Sequence, residues 1–194
     1  MDIESSSKSG GDLNPYKRTK QPKAVRKALL DEAIKLIISD GLSAVTVQAV
    51  SAAAGVSKGG FLHHFPTKAA LIDAVFGDLL DSIDCELDRY MANDDATAGV
   101  FTRAYVKVVL ETDWTSGDSQ LAALSIFMLT EPQLRDAWAT WFNARLVQHD
   151  ATDGDIRFAL VRFATDGIWL SALANVKMPD RQQLLGRLLD AAKA

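Results

Sequence analysis

Residues 49–68 read AVSAAAGVSKGGFLHHFPTK. The small residues, the single internal break and the paired aromatics fit a helix, a tight turn and a second helix. Thr46 is placed to cap a short helix ending near Ala54, because a threonine oxygen accepts from an otherwise unpaired N–H of the first turn. Gly55 ends that helix, since the left-handed turn conformation carries no Cβ penalty in glycine. Ser57 caps the second helix, Lys58 to about Phe65; Pro66 breaks it and Thr67 opens the next. Ser51, Ala52, Ala53 and Ala54 offer small side chains where the two helices cross, and Val56 plugs the gap between them. Phe61 and Phe65 lie four apart and share an inward face, which leaves Gly59, Leu62 and His63 on the outward one.

A short outward face on the second helix of such a pair suits a major groove. Three other readings use the same residues. A metal site would need His63 and His64 on one face, but adjacent helical residues diverge and no Cys or carboxylate cluster sits nearby. A phosphate loop would need the G-x-x-x-x-G-K-[ST] spacing after a strand, and GVSKGG has neither. A structural helical hairpin that binds nothing stays open at this point.

Outward from this stretch the pattern remains helical. Residues 1–21 are rich in Ser, Gly and Lys and read as a flexible basic tail. After Pro22, Val25, Leu29, Ala33, Leu36 and Ile37 follow helical spacing up to a stop at Gly41. Leu71, Val75, Leu79 and Ile83 mark a long helix over about 68–92, and further stripes follow to a last helix bearing Leu184, Leu185, Leu188 and Leu189. Sustained period-two alternation is absent. The expected fold is all-α, with about nine helices: a tail (1–21), a helix-turn-helix unit (22–66) and a larger helical domain (67–194). No run of about 18 apolar residues is present, and the start lacks the apolar core of a secretory signal. Cys85 is the single cysteine, so an intrachain disulfide is excluded and a reducing cytoplasm is the expected location.

The formal net charge is −4, but its distribution is uneven. Residues 1–65 hold nine Lys/Arg against six Asp/Glu, and the remainder holds twelve against nineteen. Lys17, Arg18, Lys20, Lys23, Arg26 and Lys27 form a run with no acid among them. A basic head on an acidic body points to a polyanion that meets the head alone, although a solvated basic tail explains the charges equally well.

The stretch TVQAVSAAAGVSKGGFLHHFPTKAA (residues 46–70) resembles the N-terminal signature of the TetR family of bacterial transcription regulators. The resemblance is close over about 25 residues and extends through the first helix; the remaining chain agrees in length and helical layout. It implies that Thr46 and Val47 meet a phosphate at the start of the supporting helix. Ser57 and Lys58 then open the recognition helix, and Gly59, Gly60, Leu62 and His63 meet bases or nearby backbone. His64 matches the family's histidine, and Lys68 would bind phosphate. Gly60 stands where Thr or Ser is common and Leu62 where Tyr is usual, which leaves Lys58, Leu62 and His63 as a thin base-reading set. Phosphate contacts, including an arm bearing Lys17, Arg18, Lys20 and Lys23, are expected to supply much of the affinity.

The resemblance further implies a homodimer formed by the last two helices. Ala164, Gly167, Ser171, Ala172 and Ala174 make the penultimate helix small-sided, and Leu185 and Leu188 belong to a stripe that must be buried somewhere. A small-molecule cavity between the middle helices is also implied. Trp114, Phe127, Met128, Trp138, Phe142 and Trp169 are its expected wall, which suits an apolar or aromatic effector; Arg103, Arg135, Asn143 and Asp166 are candidates to orient polar groups. The expected function is a ligand-responsive regulator, a repressor that effector releases from a near-palindromic double-stranded DNA operator. No cofactor, metal or membrane is implied. An enzyme finds no support in the motifs, and a second rival is a regulator that uses DNA as a scaffold for a protein partner.

Overall fold

The computed structural model describes the backbone of residues 15–112 and 120–193 and the side chains of residues 22–112 and 125–193. Helix α1 spans Pro15–Asp40. It starts before Pro22, where the spacing predicts it to start, so Lys17, Arg18 and Lys20 lie in a helix rather than in a flexible tail. Proline fixes φ near the helical value and loses one backbone bond, which weakens a helix without forbidding it. Gly41, at φ +80°, stops α1, and a 3-10 turn Leu42–Ala44 leads into α2, Val47–Ala53. Gly55, at φ +65°, makes the turn to α3, Lys58–His64, and α4 follows as Lys68–Ala92. Each of these three helices has its expected hydroxyl cap: Thr46 Oγ1 accepts from Ala49 N at 3.0 Å, Ser57 Oγ from Gly60 N at 3.1 Å and Thr67 Oγ1 from Ala70 N at 3.0 Å.

The head has its own core. Leu29, Ala33 and Ile37 of α1 meet Val45, Val50, Phe61 and Phe65, and α4 closes the cluster with Leu71 and Val75. Phe61 and Phe65 pack 6.0 Å apart with Arg26 over the Phe65 ring. Ser51 is buried and Ala54 half-buried, while Ala52 and Ala53 face outward, so only part of the small-residue run lies at the helix crossing.

The body is built around α5, Val100–Glu111, in which nine of twelve residues are buried. A helix buried over most of its surface must be surrounded, and α4, α8 (Asp150–Asp153), α9 (Ile156–Leu173) and α10 (Arg181–Ala191) pack around it. The remaining helices are α6, Gln120–Thr130, and α7, Pro132–Gln148, which lies on α4. Trp141 Nε1 and Arg145 both donate to Asp84 of α4 and fix that crossing.

The described residues hold ten α-helices, one more than the spacing predicts, and the extra one is the single turn α8. Asp153 of this turn accepts from Phe101 N at 3.3 Å and Thr102 N at 2.8 Å. It caps α5, whose own N-cap is Gly99 and has no side chain for the task. Arg103 is buried and fully engaged by Asp94 and by the carbonyls of Ala96, Ala98 and Ala192, tying the α4–α5 connection and the C-terminal end of α10 to α5. Among the described residues no helix is long and apolar enough to cross a membrane.

Gly99 sits at φ +75°, and a Cβ there would fall 2.5 Å from Phe158 and 2.7 Å from the Ala192 carbonyl. Gly99→Ala is expected to cost about 2–4 kcal/mol, combining left-handed strain with overpacking. Urea unfolding followed by helical circular dichroism checks this; an unchanged midpoint would show that the backbone at 99 relaxes freely.

Candidate nucleic-acid interface and internal cavity

The outer surface of the head collects the residues expected to meet DNA. Thr46, Ser57, Lys58, Gly59, Leu62 and His63 are exposed, and Val47, Gly60, His64 and Lys68 are half-buried. The oxygens of Thr46 and Ser57 accept at the helix caps, which leaves each hydroxyl its O–H donor. The rings of His63 and His64 meet edge to face, with centroids 5.2 Å apart. Lys68 is placed differently from the expectation of a free phosphate contact. Its Nζ donates to the Leu42 carbonyl at 3.0 Å and binds the start of α4 to the turn after α1. Lys23 is exposed on α1.

Gly60 has a local reason. A Cβ there would lie 2.7 Å from Val56 Cγ1, the side chain that plugs the turn. At Gly59 no atom comes nearer than 4.0 Å, so that glycine simply leaves the outer backbone uncovered.

In the body, five helices line a cavity of about 310 Å³ that opens to the surface. Helix α4 supplies Phe76, Leu79 and Ile83, and α5 supplies Tyr105, Val108 and Val109. Ser125 and Met128 come from α6, Trp138 and Phe142 from α7, and Phe163, Asp166 and Trp169 from α9. The volume is at the low end of the ~300–1,000 Å³ typical of small-molecule sites. Of the expected wall, Met128, Trp138, Phe142 and Trp169 line it. Trp114 lies outside the described residues. Phe127 does not line the cavity: it turns the other way on α6 and packs between the head core and the Phe76–Met128–Leu134 cluster.

Of the proposed polar groups, only Asp166 faces the cavity. Arg103 is consumed in the α5 network, and Arg135 and Asn143 are exposed outside the lining. Asp166 Oδ1 accepts from the Tyr105 hydroxyl at 2.5 Å. Burial pushes the Asp166 carboxyl above its ordinary range, against the lowering effects of the Tyr105 hydrogen bond and the Arg162 charge. Burial, followed by the Asp166 charge, also pushes the Tyr105 phenol well up.

The small residues proposed for a dimer face divide. Ala164, Gly167 and Ala174 are exposed on α9 and Ser171 is half-buried, whereas Leu185 and Leu188 pack partly against the chain's own body core. The dominant feature of that face is a stripe of Ile156, Leu160, Phe163 and Leu170, exposed by 71%, 61%, 67% and 52%. Its four-, seven- and fourteen-residue offsets from Ile156 were present in the sequence as a heptad pattern.

Two family models match the chain. Residues 29–75 match the model described as bacterial regulatory proteins, tetR family, and residues 99–193 the one described as tetracyclin repressor-like, C-terminal domain. The chain is 27% identical over 169 residues to the HTH-type transcriptional repressor KstR2 of Mycolicibacterium smegmatis, covering 78% of this chain and 79% of that protein. Against KstR2 of Rhodococcus jostii it is 29% identical over 102 residues, 53% of this chain and 48% of that protein; this match spans about half the relative's length. Two solved structures share the fold. The multidrug binding protein EbrR complexed with malachite green superposes with a TM-score of 0.69 at 21% identity, covering 87% of this chain and 98% of that one. A TetR-family member from Streptomyces coelicolor A3 gives 0.68 at 22% identity, covering 88% and 99%.

A raised carboxyl pKa in the folded state contributes stability that is present below the unfolded value and is lost as pH rises through the folded one. Asp166→Asn removes that loss. The variant is expected to melt above the unmodified protein at neutral pH, and the gap should close as pH is lowered toward 3.8, the ordinary value for the group. Thermal unfolding across a pH series tests this, and a gap that stays constant with pH would contradict it.

Proposed function

Since this chain belongs to the TetR family of bacterial regulatory proteins, we propose that it is a cytoplasmic homodimeric repressor, released from a near-palindromic operator by a small effector bound in the body cavity. The family consists of DNA-binding transcription regulators rather than enzymes. One observation carries the ligand-responsive reading: α4 serves both ends. Its first turn is tied to the head by Lys68 on Leu42, its Leu71 and Val75 complete the head core, and its Phe76, Leu79 and Ile83 line the cavity. Helix α6 supports the same reading, because Phe127 touches the head core while its neighbour Met128 lines the cavity.

At the DNA, α3 enters the major groove with Lys58, Leu62 and His63 foremost. Leu62, 41% exposed, offers apolar contact to a thymine methyl. Thr46, Val47, Ser57 and His64 hold phosphates, and the backbone at Gly59 and Gly60 approaches closely. The N-terminal part of α1, with Lys17, Arg18, Lys20 and Lys23, adds charge along the duplex. Lys68 contributes by fixing α4 to the head more than by meeting phosphate. Two heads on a two-fold axis sit about 34–36 Å apart, one turn of DNA. The dimer closes over the Ile156–Leu160–Phe163–Leu170 stripe together with Gly167, because exposed apolar stripes of this kind are costly in a monomer. Effector in the cavity favours the α4 tilt in which the heads no longer match groove spacing, and affinity falls by that preference.

Selection from a random duplex pool, followed by binding across salt concentrations, tests this function. An enriched near-palindrome with a steep salt slope is expected; sequence-blind binding alone would overturn it. Lys58→Ala is expected to lower the salt slope by about one charge and weaken binding. Leu160→Asp is expected to sediment as a single chain with unchanged helix content and to lose operator binding. A dimeric Leu160→Asp protein would move the interface elsewhere.

A further inference from the structure

Apart from Tyr105, Ser125 and Asp166, the described cavity wall is apolar and aromatic. Among the described lining residues Asp166 is the only carboxylate, and there is no Lys, Arg or His. Tyr105 is its sole hydrogen-bond partner among the described residues. The cation that acts on Asp166 is Arg162, one helical turn away on α9. That guanidinium lies outside the lining; its Nη1 donates to Thr102 Oγ1 at 2.6 Å and to the Asp153 carbonyl at 3.4 Å. It acts electrostatically on two carboxylates, Asp153 and Asp166. The charge of Arg162 is shared between Asp153 and Asp166, so the carboxylate at the cavity is compensated only in part.

A half-buried carboxylate bordered by apolar side chains is screened less than one in water and attracts a positive charge more strongly. Trp138, Phe142 and Trp169 border the same space, and aromatic faces attract cations as well. Trp138 and Phe142 stack 5.7 Å apart with only 10° between their planes, a rigid platform for a flat or bulky apolar group.

We propose that the effector is an organic cation, an aromatic or aliphatic amine or quaternary ammonium, whose charge sits at Asp166 and whose body packs against Trp138, Phe142 and Trp169. The inference rests on the cavity being the effector site. It narrows the effector from any apolar or aromatic molecule to one that carries positive charge, and it makes Asp166 the residue that selects it.

Three probes of one skeleton test it: 4-phenylbutyltrimethylammonium, 4-phenylbutanol and 4-phenylbutyrate, each titrated by tryptophan fluorescence and calorimetry against the full-length dimer. The cation is expected to bind at least about tenfold more tightly than the alcohol or the acid. Asp166→Asn should erase that preference while leaving alcohol affinity within about twofold, since only the charge is lost. Tyr105→Phe keeps the carboxylate and should keep the preference, so a folding defect in one variant does not decide the matter. Equal binding of cation and alcohol, tighter binding of the acid, or a preference that survives Asp166→Asn would overturn the cation assignment and leave the cavity reading in place. Failure of all three probes to bind would overturn the cavity reading itself, and the cation assignment with it.

Discussion

One helix has to belong to two cores. Val75 and Phe76 are neighbours on α4, yet the first is buried in the head with Phe61 and Leu71 and the second in the body beside Met128 and Leu134. A 25-residue helix is about 38 Å long, so α4 spans from the recognition unit to the cavity without a joint. Its ends are held by different means. Thr67 caps the start and Lys68 grips the Leu42 carbonyl, while Asp84 and Asp88 further along accept from Trp141 and Arg145 of α7. Because the interiors are close-packed, a change in cavity occupancy meets a rigid lever rather than a soft wall.

The body tolerates an unusual number of buried charges around α5, and each has a distinct reason. Arg103 satisfies three carbonyls and Asp94 together, so breaking it would leave several groups unpaired. Asp153 replaces the cap that Gly99 cannot provide. Arg162 bonds the Thr102 hydroxyl behind the cavity. Asp166 differs from these: among the described residues its hydrogen-bond partner is the Tyr105 phenol at the cavity wall. Arg103 and Asp153 are held by backbone groups, whereas Asp166 lines the cavity.

The helix-turn-helix was legible because its signals are local. Thr46, Gly55, Ser57, Pro66 and Thr67 act within four residues of themselves, and Phe61 and Phe65 declare their face by spacing alone. The cavity was legible only in part. Trp138, Phe142 and Trp169 were suspected as large aromatics, but Tyr105, Val108 and Phe163 look like ordinary core positions until five helices converge on them. Phe127 and Met128 are adjacent in sequence and equally apolar, yet they face the head core and the cavity respectively, which depends on how α6 is rotated. On α9 the small residues stand out in the sequence, while the larger Ile156, Leu160, Phe163 and Leu170 form the exposed stripe.

The sequence by itself determined the all-helical class, the capped recognition unit, the family and the basic head on an acidic body, because caps, turns and helical periodicity are set by residues a few positions apart. Tertiary structure decided the rest. It placed Lys68 Nζ on the Leu42 carbonyl, inserted the turn α8 so that Asp153 could cap α5, and explained Gly60 by the proximity of Val56. It also brought Asp166 and Tyr105 to the same cavity wall as Trp138, Phe142 and Trp169. Those outcomes depend on which surfaces meet across tens of residues, and no short-range pattern encodes that meeting.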